Sequence, residues 1–154
     1  MDKTEKKKLS ETDICDLFIT PAIKNAGWDP INQIRREVTL TPGPVIVRGN
    51  MSSRNKKKKK FADYVLLQEP GVPVAVVEAK DNNYSVSHGL QQALGYSEIL
   101  EIPSVFSSNG DAFASHNKFP VDGEEIETQF SLEAFHSPQK LWQRYKEYRR
   151  SEDK

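Results

Sequence analysis

The sequence has a single cysteine, Cys15, so it can form no internal disulfide and no cysteine-based metal cluster. It has no excess of charge, because 22 basic residues balance 22 acidic ones. Affinity for polyanions must therefore rest on a local patch rather than on bulk charge. No apolar run approaches the ~18 residues that a membrane span needs. The opening MDKTEKKKLSE lacks the apolar stretch of a secretory signal. With one thiol and no span, the expected setting is the cytoplasm. No G-x-x-x-x-G-K-[ST] phosphate loop is found, so this segment is not expected to bind ATP. No internal repeat divides the chain.

What the sequence does contain is enough for one folded domain. It has 154 residues, of which 36% are hydrophobic and 29% charged. A chain of that length can bury a core without covalent staples. The apolar residues recur with helical or strand periods, which excludes wholesale disorder. The balanced charge is unevenly spread. Residues 48–60, RGNMSSRNKKKKK, hold seven cations and no acid, whereas residues 122–133 hold five acids and no cation.

Local signals set the element order. Residues 1–9 read as a basic, flexible tail. Ser10 is a good helix N-cap with Asp13 three residues on. Ile14, Leu17, Phe18 and Ala22 follow at helical spacing, Pro21 should kink or end the helix, and Gly27 should stop it. Residues 33–41 read as a strand. Residues 48–60, with the lysines Lys56, Lys57, Lys58, Lys59 and Lys60, read as a mobile basic loop or charged strand edge. FADYVLL (61–67) and PVAVVEA (73–79) are the strongest strands, apolar on both faces and so expected at the sheet centre. Pro70-Gly71 between them signals a type II turn. Residues 86–101 read as a helix, in which Gly89 and Gly95 each cost ~1 kcal/mol against alanine. Strands at 104–107 and 111–116 flank Asn109-Gly110, a hairpin signal. A short strand at 126–131 and a final helix from Pro138 complete the chain. This order predicts an α/β fold of mixed α+β character: a mixed central sheet flanked by helices.

The chemistry concentrates on the central hairpin. If it folds about Pro70-Gly71, opposing residues have numbers that sum to 141, which sets Asp63 opposite Glu78. The strand period then places Lys80 on the face of Glu78. A bulge or longer loop would shift that register, and type II turns are not the favoured hairpin turns. Facing carboxylates repel, and a hard divalent cation relieves the repulsion. Such an ion can polarise a phosphodiester, and a nearby lysine can orient water or offset developing charge. The pattern D-x14-E-x-K also arises by chance, and these residues read alternatively as strand-edge and surface charges. His88, His116 and His136 lack metal-ligand spacing. Cys15 reads as packing.

FADYVLL, VAVVEAK and QQALGY, taken in order, resemble the nuclease domain of the type I restriction enzyme motor subunit. That domain belongs to the RecB-like branch of the PD-(D/E)xK superfamily. The likeness begins at ETDICDLFITPAIKNAGWD, which is similar to the family's first helix. It ends at SPQKLWQRY, similar to the link into the motor domains. The resemblance implies a restriction-endonuclease-like core over residues 10–137 and a helix at 138–154 leading toward motor domains. It implies Asp63 and Glu78 as metal ligands and Lys80 as catalytic lysine, with the Ala79 carbonyl in the metal shell. Glu11 matches an acid that can add to that shell, and Gln92 and Tyr96 match the pair that marks the branch. Ala62 stands where the family often has proline. The implied cofactor is Mg²⁺, with Mn²⁺ able to substitute. ATP would serve the full subunit without binding this segment. The implied partners are double-stranded DNA, the motor domains, and the modification and specificity subunits. The lysine run would meet the phosphate backbone, giving salt-dependent binding without sequence choice. Two other readings are a structure-specific nuclease of junction-resolvase type and a non-catalytic DNA tether.

Overall fold

The sheet is built outward from its two most apolar segments. In the computed structural model, which describes residues 1–40, 60–118, 120 and 123–152, β2 (Lys60–Leu67) and β3 (Pro73–Ala79) lie at the interior of a six-stranded sheet. The strand order follows the chain: β1 (Ile34–Leu40), β2, β3, β4 (Ser104–Ser108), β5 (Ala112–Asn117) and β6 (Glu127–Ser131). The β3–β4 pair is parallel and the other pairs are antiparallel, so the sheet is mixed and the fold is α/β. The parallel pair needs a crossover, which α3 (Leu90–Leu100) supplies.

Helices cover both faces. On one side α2, a continuous helix of segments Glu11–Ile14, Cys15–Ile19 and Thr20–Asn25, packs with α4 (Pro138–Glu152). That layer buries Ile14, Ile23, Trp28, Tyr64, Phe106 and Leu141. On the other side α3 covers Val65, Val76 and Val105 with Leu90, Ala93 and Tyr96. Cys15 lies in the first layer, and burial raises its thiol pKa to about 11, so it packs as an apolar residue. No helix among the described residues is long and apolar enough to cross a membrane.

Two expectations are corrected, and the segment expected as a tail holds a helix. There α1 (Lys3–Lys7) is capped by Asp2 and docks on two loops. Lys6 lies 4.0 Å from the Phe18 ring centroid, pairs with Asp111 at 2.8 Å and donates to the Gly110 carbonyl. Lys7 donates to the Asn82 carbonyl. Pro21 neither ends nor interrupts α2. The five residues before Thr20 form a π turn, whose wider i→i+5 bonding accommodates a proline that has no N–H to give. The crossover helix begins at Leu90, not at residue 86. Its expected first turn spends polar groups on β4 instead, with Gly89 N–H donating to Ser107 Oγ and Ser107 Oγ donating to the Val86 carbonyl. The basic segment 48–59, including Lys56, Lys57, Lys58 and Lys59, lies outside the described residues, and Lys60 opens β2.

Candidate active site at the splayed hairpin

The β2–β3 hairpin turns as its sequence predicts. Val72 N–H donates to the Glu69 carbonyl across Pro70-Gly71, and Gly71 takes φ +87°, which defines the type II turn. A bulge at Leu66/Leu67 reconciles that turn with the strand register. The aligned pairs are then Leu66↔Ala75, Val65↔Val76 and Tyr64↔Val77, whose numbers sum to 141. One step further sets Asp63 against Glu78.

At that step side chains replace the backbone ladder. Asp63 N–H donates to Glu78 Oε1 at 2.8 Å, and Ala79 N–H donates to Asp63 Oδ2 at 2.8 Å. Each carboxyl thus caps a backbone donor of the opposite strand, and the two strands splay around the pair. The two carboxyl groups are near enough for each to influence the other's ionisation. Glu78 is only 2% exposed. Burial, then the neighbouring Asp63 charge, pushes its pKa up to about 9. Burial raises Asp63 as well, against the pull of the Ala79 N–H, the Glu78 hydrogen bond, Lys80 and Arg36. Without a cation, the pair holds a proton that ordinary carboxylates would release at neutral pH.

The other predicted residues converge on this pair to different degrees. Lys80 leaves β3 with its N–H on the Ser108 carbonyl, and its Nζ donates to Gln92 Oε1 at 3.3 Å. Gln92 Nε2 donates to Tyr96 Oη at 2.8 Å, so Lys80, Gln92 and Tyr96 form one chain of hydrogen bonds. Tyr96 is buried, and burial followed by the Glu78 charge raises its hydroxyl pKa. Glu11 follows the Ser10 cap; a capping box with Asp13 holds that helix start. Burial raises the Glu11 pKa, with Asp63 and Asp81 adding to the rise and Lys80 opposing it.

Several contributors escaped the sequence reading. Arg36 on β1 lies 4.6 Å from the Tyr64 ring centroid and favours the charged form of Asp63. Glu37, between the aligned pairs Arg36↔Tyr64 and Val38↔Ala62, faces Asp63 across the sheet with φ +52°. That left-handed residue breaks the alternation of β1: Ile34 joins the α2 layer, whereas Val38 and Leu40 join the α3 layer. Nothing in its side chain announces this. Ser107 is one of three buried serines of β4, with Ser104 and Ser108, so its polarity alone does not single it out.

Among the described residues, no three or more His, Cys, Asp or Glu side chains are grouped to hold a metal ion. The donors available here are two carboxylates with backbone and solvent oxygens. That set fits Mg²⁺, a hard cation commonly held through one or two carboxylates and otherwise by water and substrate oxygens. It fits electrostatically too, since a divalent charge would displace the retained proton.

No family model matches the chain. Over 137 residues it is 45% identical to the type I restriction enzyme EcoAI endonuclease subunit of Escherichia coli. That match covers 89% of this chain but 17% of the relative. A solved structure from Vibrio vulnificus YJ016, described as a fragment of an HsdR subunit of a type I restriction enzyme, aligns with a TM-score of 0.72 at 33% identity. It covers 91% of this chain and 26% of that one. The chain therefore spans only a minor part of either protein's length.

Proposed function

Because the chain belongs, as one segment, with the endonuclease subunits of type I restriction enzymes, we propose that it carries the nuclease centre and hydrolyses phosphodiesters of double-stranded DNA. The observation that carries this reading is the reciprocal capping of Asp63 and Glu78 at the splayed end of the hairpin. Asp63 and Glu78 would hold Mg²⁺, or Mn²⁺ in its place, with the Ala79 carbonyl and at most a peripheral part for Glu11. When bound, the ion supplies charge stabilisation at the phosphate and a more acidic water.

The chain's own residues do the rest. The backbone donors of Asp63 and Ala79 fix one oxygen of each carboxyl, so the other oxygen of each is aimed rather than free to rotate. Gln92 restrains the Lys80 ammonium, which places a positive charge beside the reacting phosphate. Tyr96 holds Gln92 in turn. The lysines Lys56 to Lys60 would track the DNA backbone, giving affinity that falls with salt.

The larger assembly belongs to the same proposal. ATP-driven translocation by motor domains would license cutting, and modification and specificity subunits would choose the site. This segment alone should then cut weakly or not at all. The test is plasmid nicking by the chain with Mg²⁺, alone and with partner subunits, on linear and branched DNA. Vigorous cutting by the chain alone contradicts the licensing step. A preference for branched DNA favours a junction-type nuclease. Loss of all cutting in the assembly on Asp63→Asn, with DNA binding retained, is the result expected.

A further inference from the structure

Gly89 sits where the crossover helix touches the strand that carries Glu78. A Cβ built at Gly89 would lie 2.9 Å from Ser107 Oγ, closer than real Cβ atoms approach, and 3.1 Å from Glu78 Cβ, tighter than most real contacts. Its φ is −86°, so the requirement is for space and not for backbone freedom. Ser107 is fully buried and pairs in register with Glu78 on the neighbouring strand. Its hydroxyl accepts from Gly89 N–H at 3.0 Å and donates to the Val86 carbonyl at 2.8 Å. The hydroxyl therefore has both its roles filled by the approach to α3. Three residues later, on the first turn of that helix, Gln92 reaches Lys80, and one turn on Tyr96 holds Gln92.

We propose that Gly89 and Ser107 are positioning residues that set the distance between α3 and Glu78, and so align the Lys80–Gln92–Tyr96 chain with the carboxylate pair. The inference rests on the nuclease reading for its consequence but not for its geometry. Outer contacts of this kind commonly change metal affinity 10- to 100-fold when lost, because ligands and their neighbours shift by fractions of an ångström. Gly95 provides an internal control. It lies on the same helix, and a Cβ there meets nothing within 4 Å.

The experiment uses the full 154-residue chain. In the ion-free chain, the Gln92 side-chain amide resonances should move in Gly89→Ala and in Ser107→Ala but not in Gly95→Ala. Ser107→Ala adds no bulk, so it keeps the test open if Gly89→Ala folds poorly. Calorimetric titration with Mn²⁺ should show binding weakened tenfold or more in Gly89→Ala and in Ser107→Ala, and unchanged in Gly95→Ala. Adding Ser107→Ala to Gly89→Ala should recover part of the loss by removing the nearest obstruction. Gln92 resonances that stay put in both single variants overturn the positioning role, whatever the metal does. Mn²⁺ binding that is absent from the parent, or indifferent to Asp63→Asn, counts against the nuclease reading alone.

Discussion

Replacing Glu78 by glutamine should change how stability depends on pH, and in a direction opposite to ordinary acid denaturation. Glu78 has its pKa pushed from 4.5 up to about 9 by burial and by Asp63. Between those values the folded chain keeps a proton that the unfolded chain has lost. The native state then binds more protons, so stability falls as pH rises through that window. Each pH unit inside it is worth about 1.4 kcal/mol, so raising the pH from 5 to 7 should cost the parent about 2–3 kcal/mol from this group. For a chain of 154 residues that corresponds to roughly 5–10 °C in melting temperature. Glu78→Gln removes the titration yet preserves the contacts: its Oε1 can still accept from Asp63 N–H, and its amide can donate to the Asp63 carboxylate. Thermal melts of both chains in metal-free buffer should nearly coincide at pH 5 and diverge toward pH 8, with the variant the more stable. Two curves that run parallel from pH 5 to 8 would refute a raised Glu78 pKa.

Three further outcomes follow from other parts of the fold. His136 is held among aromatic rings, stacked on Phe130 and edge-on to Phe106, and burial with nearby Lys140 and Arg144 lowers its pKa to about 4. Here the unfolded chain binds the extra proton, so stability should be lost as pH falls from 6.5 to 4, by about 1–3 kcal/mol, and His136→Phe should flatten that loss in urea titrations. A loss of equal size in the variant excludes His136 as its source. Lys6→Ala removes the Asp111 pair, the Gly110 bond and the Phe18 contact together, and should cost about 1–2 kcal/mol by urea unfolding. A cost below about 0.3 kcal/mol means that α1 is only loosely docked. At Glu37, with φ +52°, glycine should be tolerated or gain up to about 1 kcal/mol, whereas valine should lose about 1–2 kcal/mol despite its strand propensity. Equal stability of the two variants argues against the left-handed bend.

The hairpin was legible because its information is local. Pro70-Gly71 names the turn, the apolar runs name two central strands, and strand periodicity sets Asp63 against Glu78. The bulge at Leu66/Leu67 could not be read, yet it is what makes that register compatible with a type II turn. The errors came where distant segments overrule local preference. Gly89 read as a weak point inside a helix, but its backbone is spent on Ser107, eighteen positions away, and the helix waits for Leu90. The charged start of the chain read as a tail because Leu9, which packs on the core, is its one apolar residue after Met1. Its lysine stems and ammonium groups dock it as well. Glu37 carries no signal at all, since its conformation is imposed by the two core layers that β1 must serve.

Crystals soaked in Mn²⁺ and measured for anomalous scattering address the site most directly. A peak within about 2.0–2.4 Å of one oxygen each from Asp63 and Glu78 is expected, with no comparable peak in Asp63→Asn crystals. Fully occupied Mn²⁺ bound elsewhere, with neither carboxyl group touching it, would contradict a shared ion between these two strands.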